Sequence, residues 1–328
     1  MKFERNTLLL LAALAAAFPL LVQDQYLLHI GVMVLIYAVL ASSLNLTVGY
    51  IGEFSLGHTA FLGLGAYAAA LLSSDFGWPL WATIPMAGLI AAIAGALIGA
   101  ITLRLQGPYF VIITLAFAEV LRIIANNWVA ATNGPMGVAG IAQPHFMAGL
   151  AALDIKRSYY YLALLIAMLA LYLIYRFVYS SQGRAAVTVR ENRYVAQSVG
   201  IWPFAYAMKA FVLGAFLAGL AGGFYAHYIT FVGTDVFQFS FMVSMIIMVL
   251  LGGKGTLVGP VIGALVVTLL NEYLREAQEL RMSIFGLIVM AVVLFLPRGL
   301  MGFLTQRREQ RSRAATAKTT QAQQEKTV

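Results

Sequence analysis

The chain contains no cysteine. That removes disulfides, zinc–thiolate sites, iron–sulfur clusters and thiol nucleophiles, and it says nothing about the compartment. Charge is almost as scarce. Only 10% of the 328 residues are Asp, Glu, Lys or Arg, against roughly 25% in a soluble domain. The four histidines do not form a metal-binding set, and neither an HExxH stretch nor a GxSxG elbow occurs. Gly252-Gly253-Lys254-Gly255-Thr256 has the look of a phosphate loop. However, Met248 stands where G-x-x-x-x-G-K-[ST] needs its first glycine, and Gly255 where Ser or Thr should follow the lysine. No ATP binds by that mechanism, and neither a cofactor nor a metal is expected on this chain.

What remains is oil. Apolar residues make up 61% of the chain and the mean hydropathy is +0.85. Several runs approach or exceed the roughly 20 residues that cross a bilayer. The expected fold is an all-α polytopic membrane protein of about ten transmembrane helices. The first apolar run covers residues 8–22, and the others 27–49, 56–74, 81–103, 109–128, 159–179, 210–231, 237–251, 257–274 and 284–304. Ala13-Leu14-Ala15 loosely matches a signal-peptide cleavage site, so the first run reads either as a removed signal or as a retained helix. Residues 1–304 form the expected transmembrane domain, and residues 305–328 a basic, then Gln/Ala/Thr-rich cytosolic tail expected to be disordered.

The formal charge of +8 would suggest nucleic acid in a soluble protein. Here it reflects the sidedness of the loops, and no nucleic-acid partner is expected. With both termini cytoplasmic, sixteen of the 21 lysines and arginines fall inside, four outside, and Arg122 within a span. Small residues four apart, Gly95/Gly99, Gly219/Gly223 and Gly259/Gly263, mark close-packed helix faces.

The longest polar interruption in the middle of the chain is residues 180–209, with Arg184, Arg190, Arg193 and Lys209 against a single acid, Glu191. It reads as a cytoplasmic loop. Ala185, Val189, Val195, Ala196 and Val199 have helical spacing, and Gly200 and Pro203 end the helix they imply. That helix is either an interfacial connector or a docking surface for a soluble partner.

Two polar features lie among the spans. Residues 42–57 bring Ser43, Asn45, Glu53 and Ser55, with His58 beyond, to the meeting of two spans. They form either a tight cytoplasmic turn or a discontinuous helix lining a pathway or gate. Glu119 and Arg122, three apart in one span that closes on Asn126, can pair on one helical face. Outside, residues 129–158 form the longest expected loop, with turns at Asn133-Gly134-Pro135.

Taken together, several stretches resemble one family, the permeases of branched-chain amino acid ABC importers, of the M (LivM) type. GRAAVTVRENRYVAQSVGI, residues 183–201, and MKAFVLGAFLAGLAGGFYA, residues 208–226, resemble its coupling loop and next helix. LLGGKGTLVGPVIGA, residues 250–264, is similar to its glycine-rich turn, and Pro297-Arg298-Gly299-Leu300-Met301-Gly302 to its C-terminal PxGLxG. Residues 43–70 and 132–141 are also similar.

The resemblance implies a permease in a bacterial plasma (inner) membrane, paired with a homologous H-type permease. Two cytosolic ATPases and a periplasmic or lipid-anchored solute-binding protein complete the expected assembly, with ATP and magnesium used by the ATPases alone. It implies ATPase-coupling roles for Gly183, Arg184, Arg190, Glu191, Ala196 and Gly200. Where relatives often read R-E-D-E, this chain has Arg190-Glu191-Asn192-Arg193, so individual ATPase contacts do not carry over. Leucine, isoleucine and valine are the family's usual substrates, with urea and short amides among close relatives. A different class, an ion-coupled secondary transporter, would use Glu53 and the Glu119/Arg122 pair. An intramembrane enzyme lacks any nucleophile–base or metal constellation.

Overall fold

A computed structural model describes residues 2–141, 152–274 and, in short pieces, 284, 286, 287, 290 and 299–302. The tail and most of the span expected at 284–304 lie outside the described residues. The longer helices are α1 (Lys2–Leu21), α2 (Gln25–Asn45), α3 (His58–Ser74), α4 (Leu80–Thr102), α5 (Pro108–Asn127), α7 (Ala152–Val178), α10 (Pro203–Ile229), α11 (Phe239–Gly252) and α12 (Gly259–Tyr273). Three shorter ones, α6 (Val129–Thr132), α8 (Ser181–Glu191) and α9 (Arg193–Ser198), lie between spans. Five segments are long and apolar enough to cross a bilayer alone: Gln25–Ile51, Leu80–Thr102, Pro108–Asn127, Asp154–Val178 and Pro203–Ile229. The protein is an all-α polytopic membrane protein.

The centre is built from α2, α3, α4 and α10. Glycine lets these backbones touch. A Cβ at Gly95 would lie 2.6 Å from the Cβ of Ala215, and one at Gly223 2.8 Å from that of Ala87. Gly219 meets the Ala87 carbonyl and Gly88 in the same way. Dispersion and close approach, rather than a hydrophobic drive, hold helices together in lipid. The small-residue pairs are therefore packing faces, as their spacing implies. Phe61, Phe211 and Phe110 fill the space beside them, with the Phe61 and Phe211 rings edge-to-face at 5.5 Å.

Two expectations are corrected and a third is located. The break expected within residues 42–57 falls at residues 52–57, because α2 continues as a π-helix, Leu46–Ile51, and ends at Gly52, whose φ is +88°. The loop expected at 129–158 is shorter, because α7 already begins at Ala152 and an Asp154–Arg157 ion pair of 3.7 Å braces its first turns. The helix expected from Arg184 to Gly200 is two helices. Asn192 is extended between them and caps the second, its Oδ1 accepting from Tyr194 N and Val195 N at 3.0 and 3.1 Å.

An antiparallel ribbon at the end opposite α8 was not expected. Val138 pairs with Val232 and Ala139 with Phe231. The ribbon ties the segment after α5 to the one after α10. From it a 3-10 turn, Thr234–Phe237, carries Phe237 down against Gly63 and onto the Tyr67 ring, stacked at 5.9 Å. That descent explains why α11 needs only 14 residues.

Overpacking the glycine face should be costly. Gly219→Leu is expected to lower stability by about 2–3 kcal/mol, whereas Leu97→Ala on the exposed side of α4 should stay within about 0.5 kcal/mol. Unfolding of both variants in mild detergent measures the difference.

Candidate functional site

The site assembles where α8 and α9 meet the ends of the membrane helices. A helix leaves its last carbonyls without partners, and they carry the negative end of its dipole. Three arginines of residues 180–209 answer three such ends. Arg184 Nη1 donates to the Tyr179 carbonyl, just past α7, at 3.2 Å. Arg190 Nη1 donates to Gly49 O, in the π-helical end of α2, at 2.6 Å. Arg193 Nη2 reaches Leu103 O, the cap of α4, at 3.5 Å. Glu191 Oε1 accepts from Arg190 Nη2 at 2.6 Å and holds the guanidinium in place.

The local sequence makes this geometry. Ser180 caps α8, its Oγ accepting from Gln182 N and Gly183 N. Any side chain at Gly183 would strike the carbonyls of Phe177 and Val178, so glycine permits the tight reversal out of α7. Ala185, Ala186 and Val189 bury one face of α8, and Ala196 is the buried contact of α9. Gly200, at φ +82°, turns the chain toward Pro203, which opens α10 and places Lys209 inside that helix rather than in the loop. Apolar groups left facing outward are Tyr194, Val199 and Trp202, exposed by 79%, 66% and 67%. Spacing alone grouped Val195 and Val199 with the buried residues; the break at Asn192 rotates them out.

Beneath Arg190 lies a second knot. Asn45 Nδ2 donates to Thr256 O and its Oδ1 accepts from Gly255 N, both at 2.8 Å. The side chain thereby fastens the turn between α11 and α12 to α2. Thr256 caps α12, accepting from Gly259 N at 3.1 Å and donating to Gly253 O at 2.8 Å. Gly299 sits on the same turn, where a Cβ would come within 2.7 Å of Leu250 O, and Met301 is buried. The glycine-rich turn and the C-terminal PxGLxG thus form one packing unit.

The eight residues proposed as a pathway or gate separate into three groups. Ser43 and His58 are buried, with Ser43 Oγ 2.8 Å from Leu40 O and 2.7 Å from His58 Nε2. Since the serine proton goes to Leu40 O, the imidazole donates to the serine. Asn45, Glu53 and Ser55 belong to the arginine end. Ser55 Oγ accepts from Gly57 N at 3.3 Å, and Thr114 Oγ1 accepts from Leu56 N at 3.1 Å, pinning this turn to α5. Glu53 Oε2 accepts from Gly107 N at 3.3 Å and borders a polar cavity of about 200 Å³ with Gln106, Arg190 and Arg193. Burial pushes its carboxyl above the ordinary value, against the opposing effects of the Gly107 amide and the Arg193 charge. Glu119, Arg122 and Asn126 lie apart from both groups, on α5. Glu119 and Arg122 are paired as their spacing implies, but on an open face.

Residues 26–296 match the family model described as branched-chain amino acid transport system / permease component. The chain belongs to this permease family. It is 31% identical over 323 residues to the high-affinity branched-chain amino acid transport system permease protein LivM of Salmonella typhimurium, covering 91% of this chain and 75% of that one. The LivM of Escherichia coli K12 gives the same identity and coverage. LivH of E. coli K12 is 27% identical over 81% of this chain and 91% of its own. No solved structure matches. The protein is thus a transport permease and a multi-pass protein of the plasma membrane. The family match begins after α1 and ends before the tail.

Two outcomes follow from the geometry. Asn45→Ala strands a donor and an acceptor in the turn and should cost about 2–3 kcal/mol, read as faster hydrogen exchange at residues 253–258. A raised carboxyl pKa means that the folded state holds its proton longer than the unfolded chain. Stability should therefore fall as pH rises from 4.5 through the higher folded value. Glu53→Gln should flatten that slope in a series of thermal midpoints against pH.

Proposed function

We propose that this chain is the M-type permease of an ATP-driven importer for leucine, isoleucine and valine. In this reading it pairs with an H-type permease, two cytosolic ATPases, and a solute-binding protein on the outer side. The names of its relatives supply the substrate class, and relatives of both types, LivM and LivH, support a heterodimer. The arginine-rich end faces the cytoplasm under the positive-inside rule, with both chain termini on that side. Residues 1–304 form the permease domain and residues 305–328 a cytosolic tail.

One observation carries the coupling role. The α8–α9 pair shows an apolar knob of Tyr194, Val199 and Trp202 to solvent, while its arginines grip the ends of α2, α4 and α7. Soluble proteins and loops rarely leave such groups open without a partner. An ATPase cleft closing on the knob would push three spans as one body, because the links are direct guanidinium–carbonyl contacts, the Arg190 one short, rather than flexible linkers. ATP is then bound and spent by the partner chains, and this chain supplies the moving wall.

Co-purification from mild detergent tests the assignment. Tyr194→Glu combined with Val199→Glu should strip the ATPases while the permease pair survives. Arg190→Glu should keep them bound yet lower leucine uptake at least tenfold. Full uptake by this chain alone, with no ATPase present, would sink the importer reading.

A further inference from the structure

α5 differs from the other long spans. Its residues Ile112, Leu115, Glu119 and Ile123, spaced three or four apart, form a stripe open to the outside of the chain. Glu119 is twelfth of the 20 residues of α5, so the charges sit near mid-membrane. The side chains of Glu119 and Arg122 are 50% and 38% exposed. Against hydrocarbon that arrangement is strongly unfavourable, and intramembrane charges face a protein interior or a watery cavity. The stripe has polar ends. At one end Glu53 stands at the rim of a mainly apolar cavity of about 450 Å³, lined also by Phe54, Pro108, Val111 and Ile112, and the other end reaches Asn126 and Asn127.

We propose that the Glu119–Arg122 pair is a transit site for the zwitterionic head of an α-amino acid, on the wall of the solute pathway. The inference rests on the importer reading and deepens it. Arg122 Nε lies 3.0 Å from Glu119 Oε2 and Nη2 lies 2.6 Å from Oε1. Among the described residues Arg122 Nη1 makes no hydrogen bond, so one edge of the guanidinium is open to a carboxylate. An α-amino acid carries ammonium and carboxylate on one carbon, at the spacing of the pair itself. Its carboxylate takes the open edge of Arg122, and its ammonium takes a Glu119 oxygen. One ion pair is exchanged for two, with no net charge added to the membrane.

Leu115 and Ile123 lie four residues either side of Glu119 and meet a branched aliphatic side chain. Because the solute displaces part of an existing pair, binding is weak, as passage requires. Urea and short amides have no charged ends to exchange.

The absence of cysteine makes the test direct. In the assembled transporter, Leu115→Cys and Ile123→Cys are labelled with a water-soluble thiosulfonate, with Leu97→Cys on α4 as the lipid-facing control. The proposal expects rapid labelling at 115 and 123, little at 97, and at least fivefold slowing at 115 and 123 by saturating leucine delivered through the binding protein. Acetamide should give no slowing. Glu119→Gln and Arg122→Gln should each cut leucine uptake tenfold or more, with ATPases still bound and ATP hydrolysis retained. Absent labelling at 115 and 123, no leucine effect, equal protection by acetamide, or uptake within twofold of wild type in both neutral variants each overturns it. If those variants do not assemble, labelling of the cysteine variants, which keep the pair, decides alone. Uptake by the unaltered protein without any ATPase would remove the importer reading, while leucine protection would still judge the pair.

Discussion

A membrane helix ends in carbonyls that its own backbone cannot satisfy, and lipid offers nothing to pair with them. Much of the architecture at one end of this permease answers that constraint. Arg184, Arg190 and Arg193 each place a guanidinium on the terminal carbonyl of a different helix. One short segment is thereby fixed to α7, α2 and α4 together. The same bonds decide what that segment shows to solvent. With Ala186, Val189 and Ala196 packed and the guanidinium tips on the carbonyls, Tyr194, Val195, Val199 and Trp202 stand exposed among the polar residues of the segment. A positive loop becomes, in three dimensions, an apolar docking surface on a charged mount.

The knot around Asn45 extends this logic into the membrane. α2 changes from α to π geometry immediately after Asn45, and the widened backbone presents Gly49 O to Arg190. The turn between α11 and α12 passes so closely that a Cβ at Gly49 would strike Gly255 and Asn45. Local widening of this kind recurs at functional sites because it re-aims backbone groups without ending a helix. Two of the polar side chains at 42–49 are satisfied inside the bundle by protein partners. Ser43 is bonded to Leu40 and His58, and Asn45 to the Gly255–Thr256 turn, so neither needs water.

The rest of the molecule divides into a dense part and an open part. α2, α3, α4 and α10 pack through glycine and alanine and bury their own polar groups. α5 gives up little of its surface to this body: Phe110, Thr114, Ala118 and Ala125 are its buried residues. Thr114 and the turn at Ser55–Gly57 hinge its lower half to the arginine end. A movement of α8 and α9 would thus reach α5 through two adjoining turns, at Gly52–Gly57 and at Gly107.

Much was legible in the residues themselves. Apolar runs fixed the class of fold, since a bilayer demands length and closure of backbone hydrogen bonds whatever the partners. Glycines four apart marked the packing faces, and Glu119 and Arg122 declared their pair, because both depend on helical spacing alone. The motifs at 183–201 and 250–264 pointed to the family. Long-range partners were not legible. That Arg190 belongs to Gly49 and Asn45 to Gly255 and Thr256, separations of 141, 210 and 211 residues, depends on how helices settle together. The cap at Asn192 is of a kind that residue type alone can signal, and the outward turn of Val199 follows from it. Composition and period determine which segments enter the membrane. Which faces they leave open, and where each charge finds its partner, is settled only by tertiary packing, because a helix offers its residues every direction and the neighbours choose.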